Sequence, residues 1–130
     1  MEYTSQLRVR YAHTDAMGIV YHGNYYEYFE ASRVELMRYA GLNYTELVTA
    51  GYYMPLIESH CEYKKPAKFD DLLDITCKMV YDGKLRVKLE YHIHCGGILI
   101  CTGHTIHVFT TVAENKIVKP PQLFLDYFRE

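Results

Sequence analysis

The chain has 130 residues, 49% hydrophobic and 23% charged, which suits one domain with a buried core and excludes a disordered tail or low-complexity linker. Lys and Arg number 14 against 16 Asp and Glu, a formal charge of -2 that argues against nucleic-acid or membrane-surface binding, since both need a basic excess. No apolar run approaches the roughly 18–20 residues of a membrane span, and the opening Met1 to Arg8 lacks a secretion signal's apolar segment, so a cytoplasmic location is expected.

In chain order, Leu7, Val9 and Tyr11 alternate with Arg8 and Arg10 and predict a first strand. A loop with mixed polar and apolar character follows from His13 to Gly23. Asn24 with Glu27 three residues on is a helix-start pattern, and the helix is expected from Tyr25 to about Ala40. Tyr25, Tyr28, Phe29, Ser32, Leu36, Tyr39 and Ala40 recur at three- and four-residue spacing and mark the face to be buried. Gly41 should end this helix, and Asn43 with Glu46 should start a shorter one that stops near Gly51.

After Pro55 the period changes to two. Leu56 to Lys64 predicts a strand with Ile57, Cys61 and Tyr63 on one face. Leu73 to Tyr81 predicts the next, Asp82-Gly83 turns it, and Leu85 to Cys95 runs back. Gly96-Gly97 turns the chain into a long strand from Ile98 to about Val112, a short piece follows at Ile117 and Val118, and the tail from Gln122 to Arg129 can form a helical turn or two. No internal repeat or linker divides 1–130, so a single domain is expected. The class is α+β, and the economical packing is a curved antiparallel sheet of five or six strands wrapped around one long central helix. Cys61, Cys77, Cys95 and Cys101 show no C-x-x-C pairing and are expected as packing thiols. Fourteen Tyr and five Phe suggest aromatic burial between subunits as well as within one.

The stretch Tyr11-x-His13-Thr14-Asp15-x-x-Gly18-Ile19-Val20-Tyr21-His22-x-Asn24-Tyr25, with Phe29-Glu30-x-x-Arg33-x-Glu35 and Tyr63-x-x-Pro66-Ala67-x-Phe69-Asp70-Asp71, resembles the hot-dog fold acyl-CoA thioesterases. The likeness is closest to the 4-hydroxybenzoyl-CoA thioesterase group and the thioesterases found beside the bacterial Tol-Pal system. It spans essentially the whole chain and implies an acyl-CoA substrate, hydrolysis to a free acid and CoA, and a homo-oligomer built as a dimer of dimers. No cofactor and no metal are implied.

The chemistry of that stretch is readable independently. A thiol leaves with a pKa of about 8.5, so a thioester needs an activated oxygen and a stabilised oxyanion more than an acid. Asp15 either attacks the carbonyl to form a mixed anhydride or acts as base toward water; alone, it also reads as a turn carboxylate. His22 either orients Asp15, holds the catalytic water or protonates the leaving thiolate, or it bonds a neighbouring backbone, and Tyr11 is implied by resemblance to support the site. Resemblance also puts the oxyanion donor at the backbone amide near His22, just ahead of the helix dipole. Gly18 would let the thioester pass close to the chain, while Asn24 reads as a cap and Tyr25 as the helix start beside the substrate. His13 is a supporting residue at most. Lys64, Lys65 and Lys68 around Pro66 are candidates for the CoA phosphates, with Arg86 and Lys88 as a second basic pair.

Two other functions compete. A hydroxyacyl dehydratase on this fold would want a His-Phe-Pro type helix entry, which is absent. A noncatalytic acyl-ligand protein would keep the fold without turnover. His92, His94, His104 and His107 raise a metal reading, but no Cys joins them at a finger-like spacing.

Overall fold

In the computed structural model, which describes residues 1–129, the elements follow one another as β1 (Glu2–Arg8), α1 (Asn24–Ala40), α2 (Tyr44–Thr49), β2 (Tyr52–Tyr53), β3 (Leu56–Tyr63), β4 (Leu72–Tyr81), β5 (Val87–Cys95), β6 (Ile98–His107), β7 (Phe109–Thr111), β8 (Ile117–Val118) and α3 (Gln122–Tyr127). Five strands form one antiparallel sheet in the order β1-β4-β5-β6-β3, and β2, β7 and β8 form a second, three-stranded one. Thus the long strands carry the α+β core.

The period of two explains the main sheet. Leu73, Ile75 and Cys77 of β4 and Val87, Leu89, Tyr91 and Ile93 of β5 are all buried, and pairings such as Ile75 with Ile93 and Cys77 with Tyr91 keep them on one face. That face receives α1, whose Tyr25, Tyr28, Phe29, Ser32, Leu36 and Met37 are buried. The Phe29 ring stacks on Tyr91 with centroids 4.4 Å apart and planes 10° from parallel. Each large side chain so buried contributes about 1.5–3 kcal/mol. Gly103 on β6 makes this close seating possible: a Cβ there would lie 2.5 Å from the Phe29 ring and 2.5 Å from the His60 carbonyl oxygen. Cys77 and Cys101 pack in this core, and Cys61 and Cys95 are half-buried.

Several boundaries differ from the sequence expectation. The first strand ends at Arg8, and Tyr11–His13 form a 3-10 turn: after the Val9–Asp71 bond the carbonyls of Arg10 and Tyr11 accept from the amides of His13 and Thr14, and the chain bends into the loop. Ile57 sits where the ladder slips between Leu56 and Glu58, so the regular alternation expected from Ile57 to Tyr63 begins only after it. The long strand breaks at Val108, whose amide bonds the Pro55 carbonyl, so that β7 passes to the small sheet. Tyr39 lies on the outside of α1, stacked on Tyr3 at 4.6 Å, and Met37 takes its place inside. Asn24 is the first residue of α1 and not its cap; its amide donates to the His13 carbonyl at 2.9 Å and ties the preceding loop to the helix. Gly41, left-handed at φ 92°, ends α1, and Asn43 caps α2 through the Thr45 amide, both as expected.

Candidate active site

The loop between β1 and α1 is a turn closed by its own backbone. Asp15 donates its amide to the Ile19 carbonyl at 2.9 Å, its carbonyl accepts from Gly18, and its Oδ1 accepts from the Met17 amide at 2.8 Å. Gly18 sits at φ 78°, a conformation other residues rarely take, and lets this turn reverse within four residues. Short bridges from Thr14 to Val20 and from Ile19 to Lys68 fasten the turn to the segment after β3. His13 reinforces it from the other side: its carbonyl accepts from the Tyr21 and Asn24 groups, and its Nδ1 pairs with the Tyr28 hydroxyl at 3.1 Å.

The turn opens onto a cleft of about 350 Å³ that Asp15, His22, Tyr25, Tyr63, Lys64 and Lys65 share with Met17, Ile19, Val20 and Pro66. Asp15 is half-buried, with Oδ2 outside the Met17 bond. His22 is exposed; its ring lies against Tyr21, and its carbonyl accepts from the Tyr63 hydroxyl at 3.0 Å. Burial and the neighbouring Cys61 push that hydroxyl up to about 12, so it stays a donor. Burial also drives the Tyr25 hydroxyl above its ordinary range. Among the described residues, the amides of Asn24, Tyr25 and Tyr26 are taken by the carbonyls of Tyr21, His22 and Gly23, whereas no acceptor meets those of His22 and Gly23. Two free amides therefore stand at the head of the 17-residue helix, and His22, which carries one of them, lines the same cleft as Asp15.

The sequence-predicted residues divide accordingly. Asp15, His22, Tyr25, Lys64 and Lys65 come together in the cleft. Gly18 and Asn24 shape its wall from behind without lining it. Tyr11 does not join it: the 3-10 turn carries its ring outward, 76% exposed, edge-on to Phe69 at 5.7 Å. Lys68 also stands outside, its amide held by Asp71 Oδ2 at 2.9 Å. The sequence reading did not assign Tyr63 a role in the site, although it ends β3 on the face that meets α1. The signal was its place in Tyr63-x-x-Pro66, where a strand turns back over the loop. The four histidines do not converge, because His107 is buried on the inner face while His104 pairs with Glu58 at 2.9 Å near the exposed edge.

The sequence pattern of the thioesterase-like superfamily matches residues 9–128. Acyl-CoA thioester hydrolase YbgC of Escherichia coli O6:H1 is 35% identical over 73 residues, 56% of this chain and 54% of that one. A crystal structure of a hypothetical protein from Aquifex aeolicus superposes with a TM-score of 0.91 at 30% identity, over 98% of this chain and 99% of the other. The DHNA-CoA thioesterase from Staphylococcus aureus superposes with a TM-score of 0.89 at 26% identity, over 98% and 86% of the two chains.

Proposed function

The chain belongs to the thioesterase-like superfamily, and from that premise we propose that it is an acyl-CoA thioesterase that works at the Asp15 cleft. It hydrolyses a thioester to a free carboxylic acid and CoA. The observation that carries this reading is that the half-buried Asp15 carboxylate shares its cleft with His22, whose amide is unoccupied at the head of α1. In this reading α1 is the central helix of one hot-dog domain over 1–130, with the five-stranded sheet wrapped around it, and the enzyme works in the cytoplasm as a dimer of dimers.

The Met17 amide fixes Asp15 through Oδ1 and leaves Oδ2 for chemistry. By the first route, Oδ2 attacks the thioester carbon, the C–S bond breaks as CoA leaves as thiolate, and water then hydrolyses the mixed anhydride. By the second, Asp15 takes a proton from water as the oxygen adds to the carbonyl, and the tetrahedral intermediate then collapses with cleavage of the C–S bond, CoA leaving as thiolate and picking up a proton. Both routes place negative charge on the carbonyl oxygen, where the His22 and Gly23 amides donate. The Tyr63 hydroxyl holds the His22 carbonyl and so orients the adjoining peptide groups. The His22 imidazole, exposed at the rim, orients Asp15 or protonates the departing sulfur. Gly18 keeps the turn tight, Asn24 anchors it, and Tyr25 walls the acyl group. Tyr11 supports the loop from outside through Phe69. Lys64 and Lys65 at the mouth take the CoA phosphates, with Lys68 farther along the same segment.

The bond from the Met17 amide to Asp15 is also what a purely structural turn residue would make, and it favours the noncatalytic reading of the fold. A panel of acyl-CoAs assayed with a thiol reagent separates the two. Saturable thiol release that disappears in Asp15→Asn supports hydrolysis, and no release from any acyl-CoA sinks it.

A further inference from the structure

His13 stands outside the Asp15 cleft, and its side chain is mostly buried against α1. Tyr28 on that helix is 1% exposed. Burial first, and the Glu27 charge second, push its hydroxyl up to about 12, so it keeps its proton at pH 7. A buried hydroxyl proton needs an acceptor, and His13 Nδ1 lies 3.1 Å away. Nδ1 is therefore the unprotonated ring nitrogen. The His13 hydrogen sits on Nε2, which lies 3.7 Å from Glu27 Oε2. Glu27 is exposed, so solvent screens its pull, and Tyr28 is the partner that fixes the ring.

The backbone of the same residue holds the loop. The His13 carbonyl oxygen accepts from the Tyr21 amide at 2.9 Å and from Asn24 Nδ2 at 2.9 Å. Tyr21 and Asn24 flank His22 and Gly23, whose amides meet no acceptor among the described residues. The Asn24 amide donates to the Tyr21 carbonyl at 2.9 Å and closes the segment into a turn. One oxygen therefore anchors both ends of the segment that carries the free amides.

A carbonyl is held only as well as its own residue is, and His13 ends a three-residue 3-10 turn that has no side-chain cap. Its imidazole supplies the attachment, because Tyr28 belongs to the buried face of α1. Tyr28 also packs edge-on against Tyr25 at 5.7 Å, and Tyr25 lines the cleft.

We propose that His13 is a positioning residue of the Asp15 site: its imidazole, fixed by the Tyr28 hydroxyl, holds the carbonyl from which the His22–Gly23 segment hangs, and so sets the two amides that receive the oxyanion. The proposal rests on the reading of this cleft as a thioester hydrolase. It requires no contact between His13 and substrate. Displaced amides stabilise a developing charge poorly while the acyl-CoA still binds, so the effect falls on kcat and not on KM.

Thiol release from acyl-CoAs, urea unfolding and amide hydrogen exchange on the full chain test it. Asn places an amide oxygen where Nδ1 stands and can accept from Tyr28, whereas Ala leaves that hydroxyl unpaired. Per folded molecule, His13→Ala and Tyr28→Phe should each lower kcat at least about tenfold, with KM within about twofold of the wild type. The double variant should be no worse than His13→Ala, and His13→Asn should recover most of kcat. The Tyr21 amide should exchange at least about tenfold faster in His13→Ala than in the wild type or in His13→Asn. Unchanged kcat in His13→Ala, equal losses in His13→Asn and His13→Ala, or losses that multiply in the double variant overturn the proposal. Two wild-type measurements decide it without any variant: a ring nitrogen spectrum that places the His13 hydrogen on Nδ1, or a Tyr21 amide that exchanges as fast as a free peptide, overturns it as well. Wild-type kcat in Asp15→Asn together with losses in the His13 variants removes Asp15 from the chemistry and keeps the role of His13. If the wild type releases no thiol from any acyl-CoA, the hydrolysis reading fails, and the anchoring by His13 stands or falls on the exchange rates.

Discussion

Replacing Asp15 by Asn and by Ala separates the carboxylate's chemistry from its place in the turn. Asp15 Oδ1 accepts from the Met17 amide at 2.8 Å, and an Asn side-chain oxygen can accept the same bond, so the turn and the Gly18 geometry should survive. Asp15→Asn is then expected to shift stability by no more than about 0.5 kcal/mol, the range of an undisturbed surface position. Asp15→Ala strands that amide and should cost about 1 kcal/mol, the usual loss for a local side-chain acceptor. Chemistry ranks the variants differently. Asn can neither attack a thioester nor take a proton, so both variants should lose at least about 10²-fold in kcat, the lower bound for a positioned general base, with nucleophilic loss larger still. The assay pairs urea unfolding with thiol release from several acyl-CoAs. Retention of wild-type kcat by Asp15→Asn removes Asp15 from the chemistry and turns attention to Glu58 or Glu30. Loss of stability by Asp15→Asn equal to that of Asp15→Ala shows that the charge serves the turn.

Other outcomes follow from the same geometry. Tyr63→Phe removes the donor to the His22 carbonyl and should lower kcat several-fold with KM for CoA thioesters nearly constant; a change confined to KM would place Tyr63 in binding alone. Gly103→Ala puts a carbon 2.5 Å from the Phe29 ring and from a β3 carbonyl, and should cost about 2 kcal/mol in urea unfolding, whereas an unchanged midpoint would mean that α1 is not tightly seated. Lys65→Ala should raise KM for acyl-CoA more at low salt than at high, because an exposed charge is screened; a salt-independent KM assigns the phosphates elsewhere. His107, held near 4 when folded against 6.5 when free, binds fewer protons in the native state. Its burial therefore carries no penalty above about pH 6.5, and stability falls as the pH drops from there toward 4. The loss is about 2.5 kcal/mol by pH 4.5, and His107→Gln should flatten that slope in urea titrations. Light scattering should find a particle several times the mass of one chain, and a monomer at working concentration rejects the dimer-of-dimers reading.

The elements most legible in the sequence are those whose side chains decide their own placement. The alternation of Leu73, Ile75 and Cys77 and of Val87, Leu89, Tyr91 and Ile93 could only mean one buried sheet face, and both strands lie within two residues of expectation. Asn43 and Gly41 mark helix ends through local bonds, and local bonds are what a sequence shows. Asn24 misled for the same reason. It has the chemistry of a cap, but a carbonyl eleven residues earlier competes for its amide, and only the folded loop brings His13 there. The breaks at Ile57 and Val108 were hidden likewise, since each depends on pairing across the sheet. Tyr11 continues the alternating pattern of the first strand, yet its carbonyl and that of Arg10 accept from the Thr14 and His13 amides and turn the chain away from the sheet.

The two ends of α1 explain why one cluster of polar residues was visible in the sequence and the other was not. At the N-terminal end, the turn, the amides and the carboxylate all fall between Thr14 and Tyr25, so the residues that would meet a thioester are neighbours in the chain. At the C-terminal end, Arg33, Tyr91, Thr105 and His107 come from α1, β5 and β6 and touch only because Phe29 seats the helix on Tyr91 and Gly103. A motif cannot encode that arrangement, because no short stretch contains it. Their burial still constrains them: Tyr91, Thr105 and His107 recur at inner-face positions of paired strands, and a histidine or threonine placed there must find partners from the helix above. Arg33 satisfies Tyr91, and the chain of bonds runs on through Thr105 to His107, which the Met54 backbone meets from the other side. The same physical rule that keeps buried polar groups paired therefore ties the middle of α1 to the inner face of the sheet through side chains far apart in the sequence.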